Sequence, residues 1–506
     1  METTMNYENR AGNSSGATKR PELLIPAGGP ETLRVAVDYG ADAVYIGGSA
    51  YGLRAKADNF SMDEIREGAE YTHSHGAKLY VTANIFAHNY DLDGIKKYFT
   101  ELKGTGIDAV LISDPGVFTI ARAVMPEMDI HISTQANNTN YETYKFWYNL
   151  GVRRVVGARE LSLREIREIR EHIPDDMEIE AFVHGAMCIS YSGRCLLSNY
   201  FTGRDANHGA CTHPCRWKYS VWEKSTEVNT AAASKDEAAE CEREFAVMEE
   251  NRPGEYLPVE EDERGTYIFN SKDLCMIDKL PDMLEAGIAS LKIEGRMKTN
   301  LYVAVCARTY REAIDDYFHD PELYESKKEH YIEEISACTT RDFTRGFYYG
   351  KPSEEAQIYD SNTYVQNAVY MGRIEDVRED GYVSLYQKNK FSVGDRLEIM
   401  CMPGYTGAEQ FKTAELSANI EMSENKESSA VNATDMSTST HDKLSSSAIA
   451  ADDGISTCFN IAVTVEDIQD EDGNHMDSAP HPKQRLYVKL SGVDRDTDVV
   501  GCLMRA

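Results

Sequence analysis

Eight short apolar runs recur through the first three hundred residues, each ending in small or polar residues and each followed by a helix-periodic stretch. They are ELLIPA from Glu22, AVYIGG from Ala43, KLYVTAN from Lys78, AVLISD from Ala109, IHISTQ from Ile130, RVVGARE from Arg154, IEAFVHG from Ile179 and SLKIEGR from Ser290. Continuous rather than alternating apolarity predicts strands covered on both faces, hence a parallel sheet. Ser61 with Glu64 and Ser162 with Glu165 have the spacing of capping boxes ahead of amphipathic stretches. Eight strand–helix units in about 300 residues is the arithmetic of a (β/α)8 TIM-like barrel. A doubly wound open sheet meets the same count, because strand number does not prove closure. The expected barrel covers residues 20–320, after a disordered N-terminus at 1–19.

A barrel of this kind carries its chemistry at the C-terminal ends of its strands. Those ends hold Asn84, Asp114, Gln135, Arg159 with Glu160, His184, and Glu294 with Arg296. Directly after the seventh run come four crowded cysteines, Cys188, Cys195, Cys211 and Cys215, within an expected insertion at 186–289. Thiolates this dense repel one another and oxidise easily, so a ligand is expected. The N-terminal stretch METTMNYENRAGNSSGATKR has no apolar segment of signal-peptide type, and no later run is long enough to span a bilayer. The chain is therefore expected to be cytoplasmic, where disulfides are rare. Structural zinc sites pair cysteines two to four residues apart in both halves, which Cys211 and Cys215 satisfy and Cys188 and Cys195 do not. Wider, unequal spacing suits an iron–sulfur cluster, with zinc and unliganded thiols as the alternatives. Cys275, in SKDLC, is a rival fourth ligand; Cys241, Cys306, Cys338, Cys401, Cys458 and Cys502 read as incidental thiols.

A net charge of −31 argues against a general nucleic-acid coat. Between Ala186 and Trp217, however, the charged residues are Arg194, Arg204, Asp205 and Arg216. Tyr191, Tyr200, Phe201, Trp217 and Tyr219 interleave with them, a pattern that suits splayed single-stranded RNA or, equally, a dry wall around a metal. The charged run at 234–250 reads as a solvated helix or loop. After a connecting segment at 321–363, residues 364–506 alternate in β fashion and predict a small β-barrel. Its Ser/Thr/Asn-rich insert at 417–455 reads as disordered. Deleting residues 420–452 is expected to leave the melting temperature and activity nearly unchanged. A large loss of thermal stability in that deletion would show the segment is packed.

Residues 180–198, EAFVHGAMCISYSGRCLLS, resemble the signature of peptidase family U32 through Glu180, Phe182, Gly185, Cys188, Gly193, Cys195 and Ser198. PELLIPAGGPETLRVAVDYGADAVYIGG, SKDLCMID and SLKIEGRMK are similar to other segments of that family, and the resemblance covers roughly residues 20–400. Within it, NRPGEYLPVEEDERGTYIFNSKDL most resembles the prephenate-dependent tRNA 5-hydroxyuridine synthase branch. The resemblance implies a 4Fe–4S cluster on Cys188, Cys195, Cys211 and Cys215, with the position of Cys275 as the alternative fourth ligand. It implies prephenate as cosubstrate, a small carboxylated metabolite for which Arg159 and Arg296 are candidate clamps. It implies a tRNA anticodon loop as partner, for which Arg194, Arg204, Arg216 and Trp217 are candidate contacts. His184 and Glu294 complete the candidate catalytic set. Relatives imply two other hydroxylations, of ribosomal RNA or of a quinone precursor. The family name implies a collagenase-like peptidase, with Cys188 near His184 as nucleophile and base. Neither His-Glu-x-x-His nor Gly-x-Ser-x-Gly occurs in the chain.

Overall fold

The computed structural model describes residues 19–48, 51–52, 59–188, 191, 194–204, 206, 211–217, 219–223, 245–249, 257–259, 272–338, 342–350, 368–404 and 460–506. All eight apolar runs are strands: β1 Glu22–Pro26, β2 Ala43–Gly47, β3 Lys78–Ala83, β4 Ala109–Ile112, β5 Asp129–Ile132, β6 Arg154–Val156, β7 Glu178–Ala186 and β8 Ile288–Ile293. Each pairs in parallel with the next, and β8 pairs in parallel with both β7 and β1. That last pairing closes the barrel and settles the open-sheet alternative.

Helices α1 Pro30–Asp38, α2 Met62–Ser74, α3 Leu92–Leu102, α4 Pro115–Val124, α5 Tyr141–Asn149 and α6 Leu163–His172 follow the first six strands. Both anticipated capping boxes form: Ser61 Oγ accepts from the Glu64 N–H and Ser162 Oγ from the Glu165 N–H, each at 3.3 Å. The glutamates answer through the serine N–H groups at 2.8 Å. Helix α7, Leu280–Glu285, leads into β8, and the long α8, Asn300–His319, packs against α1 and β1.

The barrel interior combines a small apolar cluster, Leu24, Ala43, Tyr45, Tyr80, Ala109 and Leu111, with buried charged groups. Lys292 on β8 donates to Glu180 on β7 at 2.7 Å, and both side chains are buried. Arg154 on β6 bonds Glu178 at 2.7 Å and Glu22 Oε2 at 3.1 Å. Tyr80 and Ser290 add hydroxyl bonds to Glu22 at 2.7 and 3.1 Å. Burial works to raise the Glu22 pKa, but Arg154 and these hydrogen bonds outweigh it and hold the carboxyl below its ordinary value. Lys292 is pulled below its ordinary value by burial, against the opposing pull of Glu180.

Residues 364–506 were expected to form a β-barrel, and the described part does. Six antiparallel strands close it: β9 Tyr370–Val377, β10 Tyr382–Tyr386, β11 Arg396–Met400, β12 Asn460–Gln469, β13 Arg485–Leu490 and β14 Leu503–Arg505. It seats on the larger barrel through buried polar links. Tyr39 of the α1 end donates to the Met400 carbonyl at 2.7 Å and accepts from the Leu503 N–H at 2.8 Å. Arg308 of α8 reaches Asn460 at 2.8 Å.

Two expectations need adjustment. The charged run at 234–250 is not wholly helix or loop, since Phe245–Glu249 is the central strand of a three-stranded antiparallel sheet with Tyr219–Glu223 and Leu257–Val259. The stretch at 186–289 is not all insertion either. Asp273–Cys275 pairs antiparallel with the end of β7, and α7 is the crossover helix of the barrel. The expected disorder at the N-terminus and at 417–455 falls on residues 1–18 and 405–459, outside the described residues. Among the described residues no helix is long and apolar enough to cross a membrane.

Candidate active site at the barrel mouth

The strand ends gather a polar floor. Arg296, after β8, lies buried across the mouth and donates to Thr82 Oγ1 on β3 at 2.9 Å. Space for it exists because residue 47 is glycine: a Cβ there would lie 2.4 Å from the guanidinium. On the neighbouring strand ends, Asn84 Nδ2 donates to Ser133 Oγ and to Gln135 Oε1, each at 3.0 Å. Ser113 Oγ donates to the Asn84 carbonyl at 3.1 Å. Arg159, after β6, stacks on the Phe182 ring at 3.8 Å. Beside it, burial raises the Glu160 pKa, and its Oε2 is buried without a hydrogen-bond partner. Glu294 is half-buried at the β8 end, and its carbonyl accepts from the Tyr302 hydroxyl at 3.0 Å.

His184 does not face this floor. Alternation along β7 would put it on the same face as Glu180 and Phe182. A register shift between Lys292 and Ile293 of β8 pairs His184 with Ile293, whereas Phe182 pairs with Lys292. Register partners share a face, so this bulge turns the imidazole outward, into the layer between barrel and helices. There it packs against Tyr302, Tyr310 and Phe343, with ring centroids 5.7 to 5.9 Å away. Burial, with a smaller contribution from Lys298, lowers its pKa to about 3. Cys275 pairs with His184 across the antiparallel strand and shares that layer, where burial pushes its thiol up to about 11.

A buried neutral histidine has a consequence for acid stability. The unfolded chain binds the proton near pH 6.5 and the folded chain only near pH 3, so stability is full above 6.5 and falls as pH drops through that window. Between pH 7 and 5 the loss from this group is about 2 kcal/mol. His184→Phe, which fits an aromatic box, is expected to flatten the pH dependence of denaturant unfolding by that amount. An unchanged slope would show that His184 is protonated in the folded state.

The cysteine segment crosses the mouth. Arg194 donates to Asn137 Oδ1 at 2.7 Å, just beyond β5, and lies over the Phe86 ring, just beyond β3, at 5.7 Å. Asn137 holds a left-handed backbone at φ 54°, which asparagine tolerates and which aims its amide at the arginine. The signature residues have local reasons. Gly185 sits at φ 109°, and a Cβ there would meet the Glu294 carbonyl at 2.6 Å. Ser198, fully buried, accepts from the Thr212 N–H at 3.0 Å and so ties the helix after Cys195 to the loop that begins at Cys211. Glu180 is the barrel-interior partner of Lys292.

Cys188 is exposed, Cys195, Cys211 and Cys215 are half-buried, and none is in a disulfide. The His213 N–H donates to Cys211 Sγ at 3.4 Å, a bond that favours a thiolate. Four reduced, accessible thiols on one tied segment fit the soft donor set of an iron–sulfur cluster. Among the described residues, no three His, Cys, Asp or Glu side chains converge closely enough to hold a metal ion. Of the expected RNA contacts, Arg194 lies on the mouth, Arg204 is exposed, and Trp217 packs edge-on to Phe201 at 5.8 Å. The Arg216 side chain lies outside the described residues.

The description of peptidase family U32 matches residues 28–358. The chain is 39% identical over 474 residues to tRNA hydroxylation protein P1 of Bacillus subtilis (strain 168), covering 94% of this chain and 92% of that one. It is 41% identical over 402 residues to tRNA hydroxylation protein P of Escherichia coli (strain K12), covering 76% and 87%. It is 30% identical over 388 residues to the 23S rRNA 5-hydroxycytidine C2501 synthase of the same strain, covering 76% of this chain and 53% of that one.

Proposed function

The chain belongs to peptidase family U32, and from that premise we propose that it is a cytoplasmic tRNA-modifying enzyme. It hydroxylates C5 of the wobble uridine with prephenate as cosubstrate. The likeness to tRNA hydroxylation proteins over 94% and 76% of the chain supports this reading. The observation that carries it is the docking of Arg194 on Asn137, which puts a basic, aromatic, cysteine-bearing segment over an arginine-lined barrel mouth. Prephenate carries two carboxylates, and the forks of Arg296 and Arg159 are the groups to hold them. Arg204 and Arg216 take phosphates, and Trp217 offers a stacking face. Replacing C5–H by C5–OH is a two-electron oxidation of the base, so the reaction also consumes an oxygen source and a two-electron oxidant. A 4Fe–4S cluster on Cys188, Cys195, Cys211 and either Cys215 or Cys275 would supply electron-transfer chemistry there. Glu160, whose carboxyl burial raises above its ordinary value, is the candidate proton carrier at the mouth.

The peptidase reading asks for an imidazole beside a cysteine. His184 is 1% exposed in an aromatic box and its Nδ1 has no partner, while Cys188 is exposed. The test compares tRNA nucleosides by mass spectrometry, from cells with and without this protein, with gelatin cleavage by the pure preparation. Loss of 5-hydroxyuridine and its derivatives is expected. Unchanged wobble uridines with cysteine-dependent gelatin cleavage would overturn the reading. Arg296→Lys, which keeps the charge and loses the fork, is expected to raise KM for prephenate about 10- to 100-fold. An unchanged KM would remove Arg296 from the cosubstrate site.

A further inference from the structure

We infer that Gln135 reads the O4 carbonyl of the target base and so sets uridine against cytidine, an inference that rests on the proposed function. Gln135 lies in the turn just beyond β5, half-buried, two residues before the asparagine that anchors Arg194. It therefore sits under the cysteine segment, at the mouth. Its amide is oriented by the protein. Gln135 Oε1 accepts from Asn84 Nδ2 at 3.0 Å and from the Ser133 hydroxyl. Ser133 Oγ in turn accepts the other Asn84 N–H at 3.0 Å. With both donors aimed at its oxygen, flipping the glutamine would set N–H against N–H, so the nitrogen Nε2 is turned away from the network. Nε2 makes no hydrogen bond to any described residue.

A fixed N–H donor selects by polarity. Uracil presents an acceptor oxygen at position 4, and cytosine presents an amino group that is itself a donor. Against cytosine the Gln135 N–H groups would face N–H groups, leaving desolvated donors unpaired. Position 4 adjoins C5, so the hydrogen bond that chooses uracil also holds the reacting carbon. Arg296 lies one strand layer below, on Thr82, two residues before Asn84, which leaves the cosubstrate and the base on adjoining parts of one floor.

The experiment uses the full-length, anaerobically purified protein and two anticodon stem–loops that differ only in uridine or cytidine at the wobble position. Fluorescence anisotropy gives the two Kd values, and mass spectrometry gives the hydroxylated products. Wild-type protein is expected to favour the uridine stem–loop about 10- to 100-fold. Gln135→Ala is expected to bring the ratio to about one with the melting temperature unchanged. Gln135→Glu keeps one oxygen for Asn84 and Ser133 and turns the second outward as an acceptor, so it is expected to favour cytidine. Should that variant fail to fold, Gln135→Met replaces it, with loss of preference expected. A ratio that survives Gln135→Ala, or a wild-type protein that binds both stem–loops alike while hydroxylating uridine, would overturn the role of Gln135 and leave the proposed function standing. Wobble uridine left untouched by the wild-type protein would overturn the proposed function, and this inference with it.

Discussion

Serine at Cys188 or Cys195 is expected to abolish iron content and hydroxylation together, from about four irons per chain to almost none. The physical case is the donor set. Both thiols are reduced and accessible to solvent, and they flank the arginine pinned across the barrel mouth. A serine hydroxyl is a hard, weakly acidic donor and a poor substitute for a thiolate on iron. Loss of a ligand on this segment should leave the barrel folded, because the segment's thiols belong to neither barrel core. Unchanged far-ultraviolet circular dichroism alongside lost visible absorbance is therefore the expected pair of results. Zinc in stoichiometric amount with no iron would sink the cluster and the redox step that depends on it. Cys215→Ser and Cys275→Ser divide the fourth-ligand question. Cys215 is half-buried, two residues beyond His213, while Cys275 lies in the layer behind β7 with its thiol raised to about 11. A thiol in that layer must lose its proton to bind iron against the cost of full burial, whereas Cys215 is only half-buried. Cys215→Ser is thus expected to be the more damaging for iron retention, and the reverse order would assign the ligand to Cys275.

Glu180→Ala and Lys292→Ala are each expected to cost about 3–5 kcal/mol of stability, because each strands its partner's charge inside the barrel. Glu180 is fully buried, and its Oε1 accepts from Lys292 at 2.7 Å. Its Oε2 has no hydrogen-bond partner among the described residues and lies 3.7 Å from the Arg154 guanidinium. Without Glu180, Lys292 loses the opposite charge that opposes its desolvation, keeps the face of the Tyr45 ring at 4.3 Å, and would shed its proton or take in water. The double variant Glu180→Leu with Lys292→Met removes both charges at similar volume and is expected to recover most of the loss. Denaturant unfolding of the four proteins measures this directly. Single variants within about 1 kcal/mol of wild type would show that water reaches the pair. The pair also explains a signature glutamate without giving it a place in the chemistry.

How much of this was legible in the chain depends on the range of the forces involved. The eight strands could be read because a parallel strand covered on both faces must be continuously apolar, which is local information. The capping boxes at Ser61 and Ser162 were legible for the same reason: donor and acceptor lie three residues apart. Two signals were present but misread. Glu180 and Lys292 interrupt strands predicted to be buried on both faces, and opposite charges in such strands mark a pair inside the barrel. Phe245–Glu249 ends a charged run and pairs as a strand once partners 10 to 30 residues away are placed on both its sides.

The sequence by itself therefore determined the strands, their order, the caps, the four-cysteine segment and the family to which the chain belongs. Only the tertiary structure decided closure, because the β8–β1 pairing joins residues some 268 positions apart, as the hydrogen bond from Ser290 to Glu22 records. It alone turned His184 away from the mouth, through one register shift against Ile293. It alone oriented the Gln135 amide, through Asn84 on the β3 end and the neighbouring Ser133 on the β5 end. Pattern along a chain reports which face of an element must be buried. Which side chains then meet across that face is set by pairing register between distant strands, where a shift of one residue exchanges inside for outside.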